Sequence, residues 1–382
     1  YTPIVCFLAL AVAIIPPIFV GEFGKWFHRA LIFLVVSCPC ALVISIPLSF
    51  FSGIGGASKA GILVKGSNYL ELLGKAKIAV FDKTGTLTKG VFKVVETYAN
   101  GISEDDLLEL AAYGEYYSNH PIAASIKAAY KGTVQIDHLD GYEEISGMGI
   151  KVLKDGKEVL VGNKKLLDSR KISMAGAKQP SKVGTVLFVA ENGAYKGCIT
   201  IADEIKDGVK DAIASIKKCG IDNVVMLTGD KKEVADSVAK ELGIDTVCAE
   251  LMPGDKVDKV EQLLREKDED STLIFTGDGI NDAPVLMRAD VGIAMGAMGQ
   301  DAAIEAADIV LIDDDPGKIA VAYAIARKTV RIVQQNIVFA LAVKIIVMVL
   351  GALGFANMWA AVFADVGVAF LAIINATRAL KP

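Results

Sequence analysis

IAVFDKTGTLT, residues 78 to 88, decides how the rest of the sequence is read. Four apolar residues, Ile78 to Phe81, have the character of a buried strand in a parallel sheet, and Asp82 stands where that strand should end. Open α/β sheets bind ligands at the carboxyl ends of their strands. The next residues, Lys83-Thr84-Gly85-Thr86, are small or polar and can turn N–H groups and hydroxyls toward an anion. The pattern places Asp82 to attack a phosphoryl group.

A carboxylate that attacks phosphorus becomes an acyl phosphate, whose lifetime depends on whether a neighbour activates water. Phosphatases with this kind of loop set a second Asp two residues on as general acid and base. Thr84 holds that position here and cannot do such work near neutral pH, so the phosphoenzyme is expected to persist. A lasting aspartyl phosphate suits a machine that converts phosphorylation into motion.

Outward from this stretch, the apolar residues gather at the two ends of the chain. Of 382 residues 53% are hydrophobic, and the mean hydropathy of +0.44 points to membrane segments. A net charge of -5 carries no basic footprint, which argues against nucleic acid as a partner. Six scattered cysteines, adjacent only at Cys38 and Cys40, suggest a reducing compartment rather than a disulfide scaffold. The chain begins at Tyr1 and is apolar at once, as expected of a fragment cut before or inside a membrane helix.

Residues 2 to 20 are uncharged and long enough to span a bilayer. A short polar crossing, Glu22 to Arg29, leads to a second uncharged run from Ala30 to Gly56. Lys59, Lys65, Lys75 and Lys77 follow it and put its exit in the cytoplasm. Near the other end, Ile332 to Leu353 and Met358 to Ile374 give two further spans around a break at Gly354 to Asn357. Between them, strands are expected at Val224 to Thr228, Leu273 to Thr276, Val291 to Met295 and Ile309 to Ile312. Helices are expected at Lys206 to Cys219, Lys232 to Leu242 and Lys256 to Lys267. The segment from about Val91 to Lys196 breaks this alternation, with a helical part from Asp105 to Tyr130 and a hairpin in GIKVLKDGKEVLVG, so it reads as an inserted domain.

Three later stretches complete the Asp82 site if they end neighbouring strands. Thr228-Gly229-Asp230 offers a hydroxyl and N–H groups to phosphate oxygens. Lys256, in MPGDK, supplies positive charge to the phosphoryl group. TGDGINDAP, 276 to 284, clusters Asp278, Asn281 and Asp282. Asp82 and Asp278 with the Thr84 carbonyl are hard oxygen donors of the kind Mg²⁺ prefers. Asp230 and Asp282 also fit the plainer role of a helix cap or turn residue. The ordered set of motifs resembles the signature of P-type ATPases, whose core is a haloacid-dehalogenase-like domain. The resemblance implies that Asp82, in the company of Lys83 and Thr84, is the phosphorylated residue, and that Asp278 and Asp282 support magnesium and phosphate.

In the inserted segment, GEYYSNHPIAASI places His120 and Pro121 just before a helix, where the ring could stack on an adenine or cap the helix. SGMGI, Ser146 to Ile150, lets backbone approach a nucleotide. Together these resemble the nucleotide-binding domain of the heavy-metal-transporting branch. That resemblance implies ATP contacts at Glu115, His120, Gly147, Gly149, Ile150, Gly162 and Asn163. Two departures are visible: Asn119 stands where an acidic residue is frequent, and Val152 where a third glycine is usual.

Cys38-Pro39-Cys40 lies inside an apolar span. Two thiols two residues apart diverge on a straight helix, and Pro39 breaks it so that both can converge. Thiolates select soft or borderline cations. Lys344 and Asp365 are charged residues within the last two spans, and such residues are costly in hydrocarbon and usually functional. Lys344 lies about 18 Å of helical rise from Ile332, too deep to reach the interface. Asp365 adds a hard oxygen to two sulfurs, a set suited to Zn²⁺, Cd²⁺ or Pb²⁺, with Lys344 as counter-charge when the ion has left. The Cys-Pro-Cys motif resembles the ion site of heavy-metal P-type ATPases. The last helices lack the Tyr-Asn and Met-Ser pairs of copper pumps and look like the zinc/cadmium/lead-exporting subgroup.

The reading is therefore a multidomain membrane protein: four transmembrane helices plus a haloacid-dehalogenase-like α/β phosphorylation domain with an inserted α+β nucleotide-binding domain. The expected divisions are 1–56, two membrane helices with the Cys-Pro-Cys motif; 57–90, linker and first part of the phosphorylation domain; 91–196, nucleotide binding; 197–325, the rest of the phosphorylation domain; and 326–382, the last two membrane helices. By resemblance the function is ATP-driven, Mg²⁺-dependent export of Zn²⁺, Cd²⁺ or Pb²⁺ from a multi-pass site in a bacterial plasma membrane, with the large domains cytoplasmic. The family's actuator domain, which positions water for dephosphorylation, is missing from the sequence, as are earlier helices. The competing readings are a copper exporter, a membrane-tethered phosphatase and a binding-only metal sensor.

Overall fold

A computed structural model describes every residue except 1, 38, 119, 175–177, 179, 182, 279–281, 297–300, 354, 356–357 and 382, and leaves the side chains of 2, 301–303, 352 and 358 aside. Cys38, Asn119 and Asn281, singled out above, lie outside the described residues. The chain forms two compact units. One comprises Tyr1–Val80, Asp211–Val224 and Lys256–Pro382; the other comprises Phe81–Lys210 and Val225–Asp255.

The first unit opens with α1 (Thr2–Val20), uncharged and largely exposed, as a lipid-facing helix is. The expected polar crossing shrinks to Gly21 and Glu22, because α2 (Phe23–Val36) already winds through the charged residues. Lys25 donates to Glu22 at 3.0 Å and Arg29 stacks over Trp26 at 4.5 Å, so these side chains are satisfied on the helix itself. The chain breaks before Pro39, which has no N–H for a continuing ladder, and restarts as α3 (Cys40–Lys59). Small residues recur at helical spacing on the buried face of α3, among them Ala41, Ser45, Ser49, Ser52 and Gly56. They let neighbouring helices approach closely: a Cβ on Gly56 would stand 2.8 Å from the Ala379 carbonyl oxygen. Next come β1 (Ile62–Val64), α4 (Ser67–Gly74) and β2 (Ala76–Asp82).

The second unit is built on β3 (Thr88–Ala99), α5 (Glu104–Gly114), α6 (Pro121–Ala129), β4 (Leu139–Ile145), β5 (Gly149–Lys154), β6 (Lys157–Gly162), α7 (Lys164–Ser169), β7 (Thr185–Glu191) and β8 (Ala194–Ile205). Its sheet runs β3-β8-β7-β6-β5-β4, antiparallel throughout. The β5–β6 hairpin turns on Asp155 and Gly156, both at positive φ, as a two-residue loop that follows strand twist requires. The single helical part expected from 105 to 130 is two helices, because Pro121 is suited to begin a helix but not to sit inside one. Ser103 and Asp106 close a reciprocal capping box at the start of α5. Leu107, Ala111 and Ile126 pack with Val152, Val161 and Ile199 into the core. Val152 is wholly buried there, so the side chain that replaces a glycine fills apolar space.

The chain goes on through α8 (Val209–Cys219), β9 (Asn223–Leu227), α9 (Lys232–Leu242), β10 (Thr246–Cys248), α10 (Pro253–Glu266), β11 (Thr272–Gly277), α11 (Ala283–Leu286), β12 (Val291–Ala294), α12 (Asp301–Ala306) and β13 (Ile309–Leu311). The expected strands are β9, β11, β12 and β13, within a residue at each end. The order β1-β13-β12-β11-β2-β9-β10 makes a seven-stranded sheet, parallel at β9–β10 and β11–β12–β13, with β1 antiparallel to β13. β11 is buried on both faces, which is why it reads as a continuous apolar run. α8 starts later than expected because Lys206 belongs to the end of the β8 segment, where its N–H donates to Leu87 O at 3.0 Å.

α13 (Gly317–Leu353) is one continuous helix of 37 residues, twice the length a bilayer needs. Its first turns pack Ile319, Ala322 and Tyr323 inside the unit, and Tyr323 Oη donates to Ala76 O at 3.0 Å. The last span is α14 (Met358–Val362), a wide π-type turn over Phe363–Gly367, and α15 (Val368–Thr377). Among the described residues four segments are long and apolar enough to cross a membrane: Pro3–Val20, Phe23–Lys59, Gly317–Gly351 and Trp359–Leu380.

Candidate functional site

In the second unit Asp82 ends β2 almost wholly buried, and the chain turns sharply over Lys83–Leu87, with Gly85 at φ 77°. Lys83 is buried as well, and its Nζ lies 2.7 Å from Asp230 and 3.6 Å from Asp203. Thr88 Oγ1 donates to Asp203, and Lys206 Nζ donates to the Gly85 carbonyl. Thr228 Oγ1 accepts the N–H of Asp230 at 3.1 Å, which fixes the Thr228-Gly229-Asp230 turn and points the Asp230 carboxylate to Lys83. Asp230 is thus an ion-pair partner as well as a turn residue. Asp203 and Lys206, in TIADEIK, are residues that sequence reasoning missed. A carboxylate and a lysine three apart at the end of an apolar strand was the available signal.

In the first unit Asp278 directly follows β11 and is half-buried. Asp282 precedes α11 but makes no capping bond; its buried carboxylate accepts from Lys256 Nζ at 2.9 Å instead. Of the two roles open to Asp282, the structure shows the ion pair.

The nucleotide candidates gather along β5, β6 and the helices beside them. Asn163 Nδ2 donates to Gly147 O at 2.8 Å, and its main-chain N–H donates to Met148 O at 2.8 Å. Gly149 and Gly162 lie back to back: a Cβ on Gly149 would stand 2.3 Å from Val161 O, and one on Gly162 2.2 Å from Met148 O. No larger residue fits either position. Glu115 caps the end of α5 and is buried, and that burial pushes its carboxyl above the ordinary range. His120 caps α6, Nδ1 accepting from Ile122 N at 3.2 Å, so of its two possible roles the cap is the one on view. Ile150 packs its side chain into the core with Leu110 and Val159.

The membrane residues form a third group, inside the first unit. The break before Pro39 leaves the last carbonyls of α2 without helical partners. Lys344 Nζ donates to Val36 O at 3.2 Å and lies 3.4 Å from Asp365 Oδ1, so a buried cation meets both a helix C-terminus and a carboxylate. Val36 packs with Ala361 before the π-type turn and Ala364 within it, while Ala41 packs with Val368 and Ala369 after it. The broken segment therefore lies alongside the wide turn that carries Asp365. Cys40 begins α3, and Cys6, Cys198, Cys219 and Cys248 are free thiols. Toward the cytoplasmic side, buried Asn336 donates to Ala372 O at 3.1 Å and accepts from Asn375 at 2.9 Å, tying α13 to α15.

Residues 76–290 match the family of haloacid dehalogenase-like hydrolases. The chain belongs to that family. Beyond the haloacid dehalogenase-like core, the whole chain is 54% identical to a cadmium, zinc and cobalt-transporting ATPase of Bacillus subtilis, of which it covers 54%. It is 53% identical to a zinc-transporting ATPase of Synechocystis, of which it covers 53%. The chain thus spans about half the length of the curated relatives it matches. A crystal structure of a zinc-transporting PIB-type ATPase in the E2.Pi state superposes with a TM-score of 0.84 at 35% identity, covering 100% of this chain and 62% of that one. The catalytic domain of the CPx-ATPase CopB-B gives a TM-score of 0.54 at 30% identity over 70% of this chain and 96% of that one. These likenesses carry the heavy-metal P-type resemblance across the membrane helices as well, and the chain is a multi-pass membrane protein.

The haloacid dehalogenase-like loop fits a phosphate with its magnesium by the chemistry of its donors. Thr86 Oγ1 and Asp203 Oδ1 are buried with no hydrogen-bond partner among the described residues, and Asp82 and the Thr84 carbonyl are hard oxygens.

Proposed function

We propose that this chain carries the phosphorylation, nucleotide-binding and ion-site portions of an ATP-driven pump for Zn²⁺ and Cd²⁺, working through an aspartyl phosphate on Asp82. Co²⁺, named for relatives, and Pb²⁺, which suits the same donors, belong to the wider substrate class. ATP is the phosphoryl donor, held at Glu115, His120, Gly147, Gly149, Ile150, Gly162 and Asn163. An Asp82 oxygen bonds to the terminal phosphorus as the bond to the bridging oxygen of ADP breaks. Lys83 and Lys256 bring positive charge to the reaction, and Thr228, Gly229, Asp230, Asn281 and Asp282 order the loops around it. Mg²⁺, held by Asp82, the Thr84 carbonyl and Asp278, supplies neutralisation of phosphate charge. With Thr84 in place of a second carboxylate, nothing in the loop hurries water onto the phosphoenzyme.

The observation that carries the cargo assignment is the Lys344–Asp365 pair beside the broken helix. A divalent ion on two thiolates, Cys38 and Cys40, and the Asp365 carboxylate, with Lys344 nearby, sums to zero charge. With the ion gone and both thiols protonated, Lys344 and Asp365 again sum to zero. Hydrocarbon penalises net charge, so both ends of the cycle are tolerable for a dication. A monovalent copper ion would leave one negative charge uncompensated. Thiolates bind metal and disulfides do not, so the test is run with reductant. Zn²⁺ or Cd²⁺ should stimulate phosphorylation of the purified protein by labelled ATP, and Cys40→Ala or Asp365→Ala should abolish the stimulation. Tight Cu⁺ binding that Asp365→Ala leaves unchanged would overturn the dication assignment. Metal-independent release of phosphate from small phosphoesters would favour a phosphatase.

A further inference from the structure

Ser37 is the residue just before the Cys-Pro-Cys turn, and it is buried. Its Oγ donates to Phe33 O at 2.6 Å and also lies 3.6 Å from the thioether sulfur of Met348. Met348 is four residues beyond Lys344 on α13, hence on the same helix face one turn farther from the sheet. It packs against Ile32, Val36, Ala361 and Ala364, the cluster that seats the far side of the break against the turn bearing Asp365. A sulfur atom is thus held beside the end of α2 by a hydroxyl adjacent in sequence to a proposed ligand.

Resting on the pump reading, we propose that Met348 is an accessory soft donor at the far side of the membrane site, which engages the departing dication and favours Cd²⁺ over Zn²⁺. The chemistry is specific to sulfur. A thioether is neutral at every pH, so its engagement does not disturb the charge balance that Lys344 and Asp365 keep. It is polarisable, so it stabilises a soft ion more than a borderline one. An unbranched, flexible side chain can follow an ion through a short displacement without a change in the backbone. The Ser37 hydroxyl holds the sulfur close to the end of α2. As Lys344 closes on Asp365, the carboxylate leaves the ion and the sulfur remains beside it.

The test compares Met348→Leu, which conserves volume and removes sulfur, with the wild-type purified protein under reductant. Cadmium-edge X-ray absorption at one Cd²⁺ per protein should count three sulfurs in the wild type and two in Met348→Leu. The concentration of Cd²⁺ for half-maximal stimulation of phosphorylation by labelled ATP should rise about tenfold. The Zn²⁺ value should stay within about twofold, and it also shows that the variant folds. Two sulfurs in both proteins with an unchanged Cd²⁺ to Zn²⁺ ratio would overturn the role of Met348, while Cys40→Ala still abolishing Cd²⁺ binding would leave the pump reading standing. A wild-type protein that binds no Cd²⁺ would sink both.

Discussion

Lys83 sits between Asp230 at 2.7 Å and Asp203 at 3.6 Å, whereas Lys344 meets Asp365 at 3.4 Å and the Val36 carbonyl at 3.2 Å. Both are lysines buried against carboxylates, yet the two settings tolerate charge differently. Around Lys83 the carboxylates outnumber the lysine, and the excess is bearable because Asp230 is partly open to water. Thr88 and Lys206 hold the same loop from the other side, so the arrangement is fixed. In the membrane the acid and the base balance one for one, and the pair can open only if something of matching charge takes its place. On the proposed function, the aqueous site holds one geometry through a reaction and the membrane site exchanges partners.

The largest expected effect breaks the aqueous side outright. Asp82→Asn keeps the shape of the loop and removes the nucleophile, so acid-stable labelling by ATP should vanish; label persisting in this variant would place phosphorylation elsewhere. The next sharpens the membrane side. Asp365→Ala leaves Lys344 buried without its carboxylate and removes a proposed ligand, so metal-stimulated phosphorylation should fall about 100-fold. Asp365→Asn combined with Lys344→Met removes both charges, and should fold better than Asp365→Ala while remaining inactive. If the single and double variants are equally stable to heat, the charge-balance account of this pair is wrong.

Asp203→Ala tests whether the cage around Lys83 is as rigid as its contacts imply. Removing a buried partner of an ion pair typically costs about 3–5 kcal/mol, and Asp230 should hold that loss toward the lower end. Phosphorylation should slow by about tenfold, with the metal concentration for half-stimulation unchanged. Gly162→Ala forces a Cβ to within 2.2 Å of Met148 O. The nucleotide-binding sheet should lose about 2–3 kcal/mol and ATP affinity should drop, whereas metal binding in the membrane should not. The smallest effect comes from Glu115→Gln. The Glu115 carboxyl holds its proton more tightly folded than unfolded, so stability falls as pH rises through the window between its ordinary and its raised value, and stays lower above it. Gln escapes that loss, and the variant should melt slightly higher than wild type at neutral pH, with little difference in acid.

Much of this was legible in the chain itself. The strand ends at Asp82, Thr228 and Asp278 announce themselves because an apolar run followed by small and polar residues is a local pattern. Short pieces escaped: β1 and β10 have three residues each, too few to show a period. The continuity of α13 was also missed, since a change from polar to apolar composition marks a membrane boundary and not a helix end. Asp203 and Lys206 were missed for another reason. Lys206 meets the Gly85 carbonyl 121 residues away, and the short acid–lysine spacing at a strand end marks these residues without naming that partner.

Sequence alone determined which groups this protein has to work with: a carboxylate at the end of an apolar strand with no second acid two residues on, a thiol pair split by proline, and opposite charges committed to hydrocarbon. These are matters of residue type and short spacing, and the chain states them directly. Tertiary structure decided which groups meet. That Lys344 reaches the carbonyl of a broken helix, that Asp365 rides on a widened turn beside the break, and that a methionine sulfur waits next to Ser37 all follow from how helices pack. Packing depends on the shapes of distant side chains taken together, which no single stretch of sequence contains.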